Sequence, residues 1–237
     1  MDRRQFVETC STSVACLTAA GAAMALPAFA ADAKPKPYAR VLLTNEHGDP
    51  IQASRLKAQT NYVFHYPFQA TPVFLLKLDK PAAPQPLSTK TKDSYVWPGG
   101  VGPGRNLVAF SAICAHQLVY PTEQVSFISF RKSKAKKGVA DNLIHCCAEH
   151  SQYDPAQGAR VLNGPAEQPL CAVLLEHDAR ADTLTAYATL GGELFDEFFR
   201  KYEFKLSLDV GPRAKSVVAG KAAVQELEKF CRNPIQC

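Results

Sequence analysis

Two pairs of metal-capable side chains constrain this chain more than anything else in it. Cys114 and His116 stand two positions apart in "SAICAHQLVYP", Cys147 and His150 stand three apart in "CAEHSQYDPAQG", and 30 residues separate His116 from Cys147. A lone Cys or His is ordinarily a core or surface residue. Two such pairs on two separate stretches require a fold that brings two loops to one point. Two Cys and two His suit a tetrahedral zinc ion, hence a zinc-stabilised binding module. They also suit a two-iron, two-sulfide (2Fe-2S) cluster, with two thiolates on one iron and two neutral imidazoles on the other. Spacing alone leaves both open.

The flanks add information. Ser151, Tyr153 and Asp154 follow the second pair, and "VLNGPAEQPL" places Gly164 and Pro165 at a turn further on. With these residues the sequence resembles the Rieske iron–sulfur family. The resemblance implies a mainly β protein, an antiparallel β-sandwich or barrel over residues 38–190 with a small cluster-binding subdomain at about 112–168. It implies a 2Fe-2S cluster on Cys114, His116, Cys147 and His150, covered by the loop of Gly164 and Pro165. Ser151 would bond a bridging sulfide and Tyr153 a ligand sulfur, drawing electron density from the cluster and favouring its reduced state. The potential would then lie toward the upper part of the roughly −150 to +300 mV Rieske range.

The function so implied is one-electron transfer by a non-catalytic subunit of an oxidoreductase, without a catalytic nucleophile or acid–base pair. The acceptor would be a c-type cytochrome or a similar redox protein. Residues 60–118, with "YPFQATPVFLLKL" and "GGVGPGRNLVAFSAICAH", are similar to the small Rieske subunit of arsenite oxidase, which implies a molybdenum-containing large subunit as partner. "YDPAQGARVLNGPA" looks more like the Rieske subunit of a cytochrome bc complex, which implies a quinol-oxidising partner. An oxygenase component would need a mononuclear iron triad, and beyond the cluster region only His177 is available.

Three departures from the family pattern stand out. Members usually have one residue between the second ligand His and the Ser, whereas His150 and Ser151 are adjacent; a gapless match would put Glu149 at the His position. Keeping His150 as ligand requires a one-residue deletion. The interval between the pairs is long, and "RKSKAKKG" within it carries five positive charges without apolar periodicity, which reads as a solvated insertion or a guide for an acidic partner. The first-loop position that carries an inter-loop disulfide in many respiratory members is Val119. Cys146 is then a substitute ligand in a shifted register, a partner for Cys171, or a free thiol.

The N-terminus reads as an address. Arg3 and Arg4 precede Phe6, an Ala-rich apolar run follows, and Ala28 and Ala30 fit a small-residue cleavage site. Residues 1–30 thus resemble a twin-arginine (Tat) signal peptide, which implies a periplasmic protein, membrane-associated only if the segment stays as an anchor. Of the eight cysteines, Cys10 and Cys16 leave with the signal. In an oxidising compartment disulfides are the default reading, and Cys231 and Cys237, flanking "RNPIQ", are the candidate pair. The net charge of +5 lies on no recognisable nucleic-acid-reading module.

The remaining pattern is β. "YARVLLT", "YVFHYPF", "TPVFLLKL", "LVAFSAI", "LCAVLLEHD" and "DTLTAYATL" are short runs rich in β-branched and aromatic residues, bounded by Gly, Pro and Asn. The Pro-rich stretch "LDKPAAPQPLSTKTKDSYVWPGG" reads as a surface loop between strands. Residues 191–237 form a C-terminal extension outside the resemblance, with Phe195, Phe198, Phe199, Tyr202 and Phe204 expected to pack on the same domain.

Overall fold

All six apolar runs become strands. In the computed structural model, which describes residues 33–132 and 142–237, the chain order is β1 (Lys36–Thr44), β2 (Tyr62–His65), β3 (Pro72–Lys77), β4 (Gln85–Ser88), β5 (Ser94–Trp97), β6 (Leu107–Ser111) and β7 (Ile128–Arg131). There follow β8 (Leu143–Cys146), β9 (Ser151–Asp154), β10 (Arg160–Asn163), β11 (Ala172–Asp178), β12 (Thr183–Leu190), α1 (Phe195–Lys201), α2 (Glu203–Asp209), β13 (Gly220–Ala223), β14 (Gln225–Glu226) and α3 (Leu227–Phe230). Residues 1–30, read above as a signal, and most of the basic stretch lie outside the described residues.

The main sheet has the order β13-β1-β12-β11-β6-β3-β2-β14, antiparallel except for the β1–β13 pair. Only Val224 separates β13 from β14, yet these two strands occupy opposite ends of that order. One residue spans about 3.5 Å. The two edges therefore meet, and the sheet curls almost into a barrel.

Burial on both faces explains the near-continuous apolar character of the central strands. On β3 and β6, Val73, Leu75, Leu107 and Ala109 pack in one core with Val41 and Phe64, while Phe74, Leu76, Val108 and Phe110 pack in another. Strand β12 instead alternates buried and half-buried positions over its first residues, as expected where one face meets water. The second core is shared with a smaller sheet, ordered β10-β9-β8-β7, through Ile128, Ile144 and Tyr153. Each large apolar side chain taken fully from water contributes about 1.5–3 kcal/mol, so this seam is a fixed contact. It is also where Cys114 and Cys146 lie.

Two expectations need correction. The Pro-rich stretch is not a plain surface loop: it forms the β4–β5 hairpin, whose Tyr95 and Trp97 are each 2% exposed and join the seam core. Of its prolines only Pro86 lies within a strand, in a two-stranded ribbon where a missing N–H is tolerated at the open edge; Pro81, Pro84 and Pro98 lie outside β4 and β5. The residues after 190 contribute β13 and β14, which pair with β1 and β2 on the main sheet. Helix α1 buries Phe195, Phe198 and Phe199 against Ile113 and Tyr120, with the Phe198 and Tyr120 rings edge-on at 4.8 Å. Phe204 instead faces solvent, 78% exposed.

Candidate metal centre

Strand β6 delivers the first loop. Beyond Ser111 the chain folds back tightly, with Cys114 N–H donating to Val119 O at 2.8 Å and Leu118 N–H to Cys114 O at 3.0 Å. Leu118 takes a left-handed φ of 59° to close the turn. The outside of the loop is held by the extension, since Lys201 Nζ donates to Gln117 O at 2.6 Å. Cys114 is wholly buried and His116 partly so.

The second loop is the turn of the β8–β9 hairpin. Register across it pairs Cys146 with Ser151 and Ile144 with Tyr153. Because strand side chains alternate faces, Ser151 and Tyr153 turn inward while Gln152 and Asp154 remain half-buried. Asp154 instead fastens the following turn, accepting from Ala156 N–H at 2.9 Å and Gln157 Nε2 at 2.7 Å. A third loop presses onto the hairpin at Gly164: a Cβ there would stand 2.5 Å from Ser151 Cα and 2.7 Å from His150 O, and its φ is +91°. Only glycine fits.

Between the loops, the buried thiols of Cys114 and Cys146 share one core cluster and interact closely enough to shift each other's titration. The Cys146 thiol holds Cys114 below the usual thiol range despite burial, and the same contact together with burial pushes Cys146 up. Tyr153, fully buried, places its hydroxyl 3.2 Å from Cys114 Sγ and accepts from Ala115 N–H at 3.1 Å. The oxygen accepts from the backbone and its own proton remains available to the sulfur. Burial and the neighbouring Cys114 push the Tyr153 phenol up, so it remains a donor. Ser151 Oγ accepts from Ala166 N–H at 3.3 Å, which likewise leaves its proton to give.

At the other end, His116 Nδ1 lies 3.5 Å from Glu149 Oε2, but no aligned hydrogen bond joins them. The nitrogen is buried without a hydrogen-bonding partner. A buried unpaired nitrogen costs free energy unless something else engages it.

This arrangement corrects the second ligand pair read from spacing. Cys147 is turned away from Cys114 and forms a disulfide with Cys237, with the Arg131 guanidinium 2.8 Å from Cys147 Sγ. Cys146 meets Cys114 instead. His150 is exposed and holds a left-handed turn position at φ 59°, while the preceding residue, Glu149, faces His116. In this register Cys146 and Glu149, rather than Cys147 and His150, face the first loop. Its signal was available in the two-residue alternation that puts Cys146 on the same hairpin face as Ser151 and Tyr153.

The expected Cys231–Cys237 bridge is also replaced. Cys231 is a buried free thiol. Residues beyond it run extended beside 123–128, with Arg232 N–H to Glu123 O, Ser126 N–H to Asn233 O and Ile235 N–H to Ser126 O. Extended chain covers about 3.3 Å per residue, which carries Cys237 beyond the roughly 7 Å Cα reach of a disulfide to Cys231. Cys171 is likewise buried and free, and burial pushes its thiol up. His177 is engaged with Asp182 at 3.0 Å.

No family model matches the chain. Among solved structures it is similar to the soluble domain of the Rieske protein II (soxF) from Sulfolobus acidocaldarius, at 21% identity and a TM-score of 0.49, over 83% of this chain and 96% of that one. What the site can do follows from its own side chains. Among the described residues no three His, Cys, Asp or Glu side chains gather closely enough to hold a single ion. The donors come as two pairs: two thiols at one end, and an imidazole beside a carboxylate at the other.

Proposed function

We propose that the chain is a Rieske-type electron-transfer protein, binding a 2Fe-2S cluster between its two loops and passing single electrons to a redox partner. The observation that carries this reading is the buried Cys114–Cys146 thiol pair, with the Tyr153 hydroxyl 3.2 Å from the Cys114 sulfur. The residues fit such a group. Two adjacent thiols suit one iron, the partnerless His116 nitrogen suits a second, and a two-centre arrangement agrees better with paired donors than one tetrahedral zinc. When bound, the cluster supplies a one-electron couple.

The chain's own groups tune and shelter that couple. Tyr153 and Ser151 accept from backbone N–H groups and keep hydroxyl protons to give, which favours added negative charge at the centre. Gly164 lets the third loop close on the second hairpin and exclude water there. The partly exposed His116 lies at the end from which an electron would leave. Export through a twin-arginine signal at residues 1–30 to a periplasm belongs to the same proposal; the Cys147–Cys237 disulfide supports it, since such bonds persist in oxidising compartments. A c-type cytochrome or similar one-electron carrier is the proposed acceptor.

The test is chemical analysis of the purified chain with visible and EPR spectra. Two irons and two acid-labile sulfides per chain, with a rhombic signal on reduction, are expected. A colourless protein that binds zinc and holds no sulfide after iron–sulfide reconstitution would refute the proposal.

A further inference from the structure

We infer that Glu149 supplies the fourth donor, so that the centre is held by two thiolates, one imidazole and one carboxylate. The inference rests on the cluster reading above and concerns which side chain completes it. The hairpin register sets the count. With Cys146 paired to Ser151 at the strand ends and buried in the same core cluster as Cys114, the residue three beyond it is Glu149. Glu149 Oε2 lies 3.5 Å from His116 Nδ1, and the two side chains are 32% and 30% exposed, so they share the outer end of the site. The His116 nitrogen lacks a hydrogen-bonding partner, as a ligating nitrogen would.

His150 has a different place. Its φ of 59° puts it at the turn position most easily filled by glycine, its side chain is exposed, and its carbonyl is pressed by Gly164. The backbone conformation there closes the hairpin so that Glu149 faces the first loop.

The substitution has a chemical consequence. A carboxylate is a hard anionic oxygen donor and brings one more negative charge than a neutral imidazole. It favours the ferric state of the outer iron, so the centre should have a lower potential than the same loops would give with two imidazoles. The outer end then presents one imidazole rather than two to a partner.

The test uses the full chain with its cluster and reads coordinated nitrogen by pulsed EPR of the reduced protein, beside iron and sulfide content and midpoint potential. The wild type should show one strongly coupled imidazole nitrogen. His150→Ala should keep the iron, the g-values and that coupling. Glu149→Ala should lose iron or change its g-values, with folding verified by near-UV circular dichroism. Glu149→His should gain a second nitrogen coupling and raise the potential. A Glu149→Ala protein with the wild-type spectrum would overturn the inference, as would two nitrogen couplings in the wild type with one lost in His150→Ala. In both cases the cluster reading would survive. Absence of iron with labile sulfide from every protein, wild type included, would overturn the cluster reading and this inference with it.

Discussion

Removal of the Cys147–Cys237 disulfide should separate the stability of the second loop from its ligand chemistry. The bond closes a sequence interval of 90 residues. The chain-entropy relation for a loop of that size gives a ceiling of about 4.6 kcal/mol, and measured native disulfides mostly contribute about 2–4 kcal/mol. The tail keeps other attachments, including the Ile235 N–H bond to Ser126 O and the Arg131 bonds to Ile235 O at 2.9 Å and Cys237 O at 2.7 Å. We therefore expect Cys147→Ser and Cys237→Ser each to lower unfolding free energy by about 3 kcal/mol in urea titrations. Their combination should cost no more than either alone, because both remove one interaction. Iron content should persist in all three, whereas Cys146→Ser should lose it. Additive losses would refute the pairing, and a Cys147→Ser protein without iron beside an iron-loaded Cys146→Ser would refute the register.

Further perturbations probe the same architecture. Tyr153→Phe leaves Ala115 N–H and the Cys114 sulfur without their partner. It should cost about 1–3 kcal/mol and lower the potential, read by urea unfolding and redox titration; wild-type values in both would remove Tyr153 from the tuning role. Gly164→Ala would push a methyl into Ser151 Cα and the His150 carbonyl at a φ of +91°. A loss of roughly 1–3 kcal/mol is expected, and an unchanged Tm would show that the third loop does not press on the hairpin. His65 has its pKa lowered from 6.5 to about 4 by burial, beside Phe230 at 5.9 Å. A group whose pKa falls on folding takes its proton more readily when unfolded, so stability should decline as pH drops from 6.5 towards 4. The decline is at most about 3 kcal/mol, less where the ring edge meets water. His65→Leu should flatten it in urea titrations at pH 7 and 4.5; an equal decline in the variant would assign it elsewhere.

Legibility in the sequence followed burial. Strands β3 and β6 have both faces covered, so their apolar runs had no competing reading, and β12 was readable through its alternation. The β4–β5 hairpin was hidden because its prolines signal a loop, although Tyr95 and Trp97 are the residues it buries. For the site, the structure brings Cys114, His116, Ser151 and Tyr153 to the two facing loops, whereas Cys147, read as a ligand from residue type at a familiar spacing, lies in a disulfide, and His150, read the same way, is exposed. Hairpin alternation is the stronger constraint: a shift of one residue reverses every side chain, and Cys146, Ser151 and Tyr153 satisfy one face together. Arg131 read as part of a solvated basic run, yet its guanidinium bridges Cys147 and the C-terminal tail across more than a hundred positions of sequence, a contact that no local pattern encodes.

The C-terminal extension lies outside the resemblance and yet holds the two loops that the resemblance concerns. Among the described residues no disulfide joins one loop to the other, since Cys114 and Cys146 are free thiols and Cys147 pairs with Cys237, so each loop is restrained separately. The extension does both. On the first loop, Phe198 packs edge-on to Tyr120 and Lys201 binds the Gln117 carbonyl. On the second, the tail lies along 123–128 and ends in the covalent bond to Cys147. The two anchors sit at opposite ends of one segment whose strands β13 and β14 are built into the edges of the barrel. Loop positions are thus referred to the main sheet rather than to each other. Loss of the covalent anchor should then loosen the second loop while leaving the first, under α1, in place.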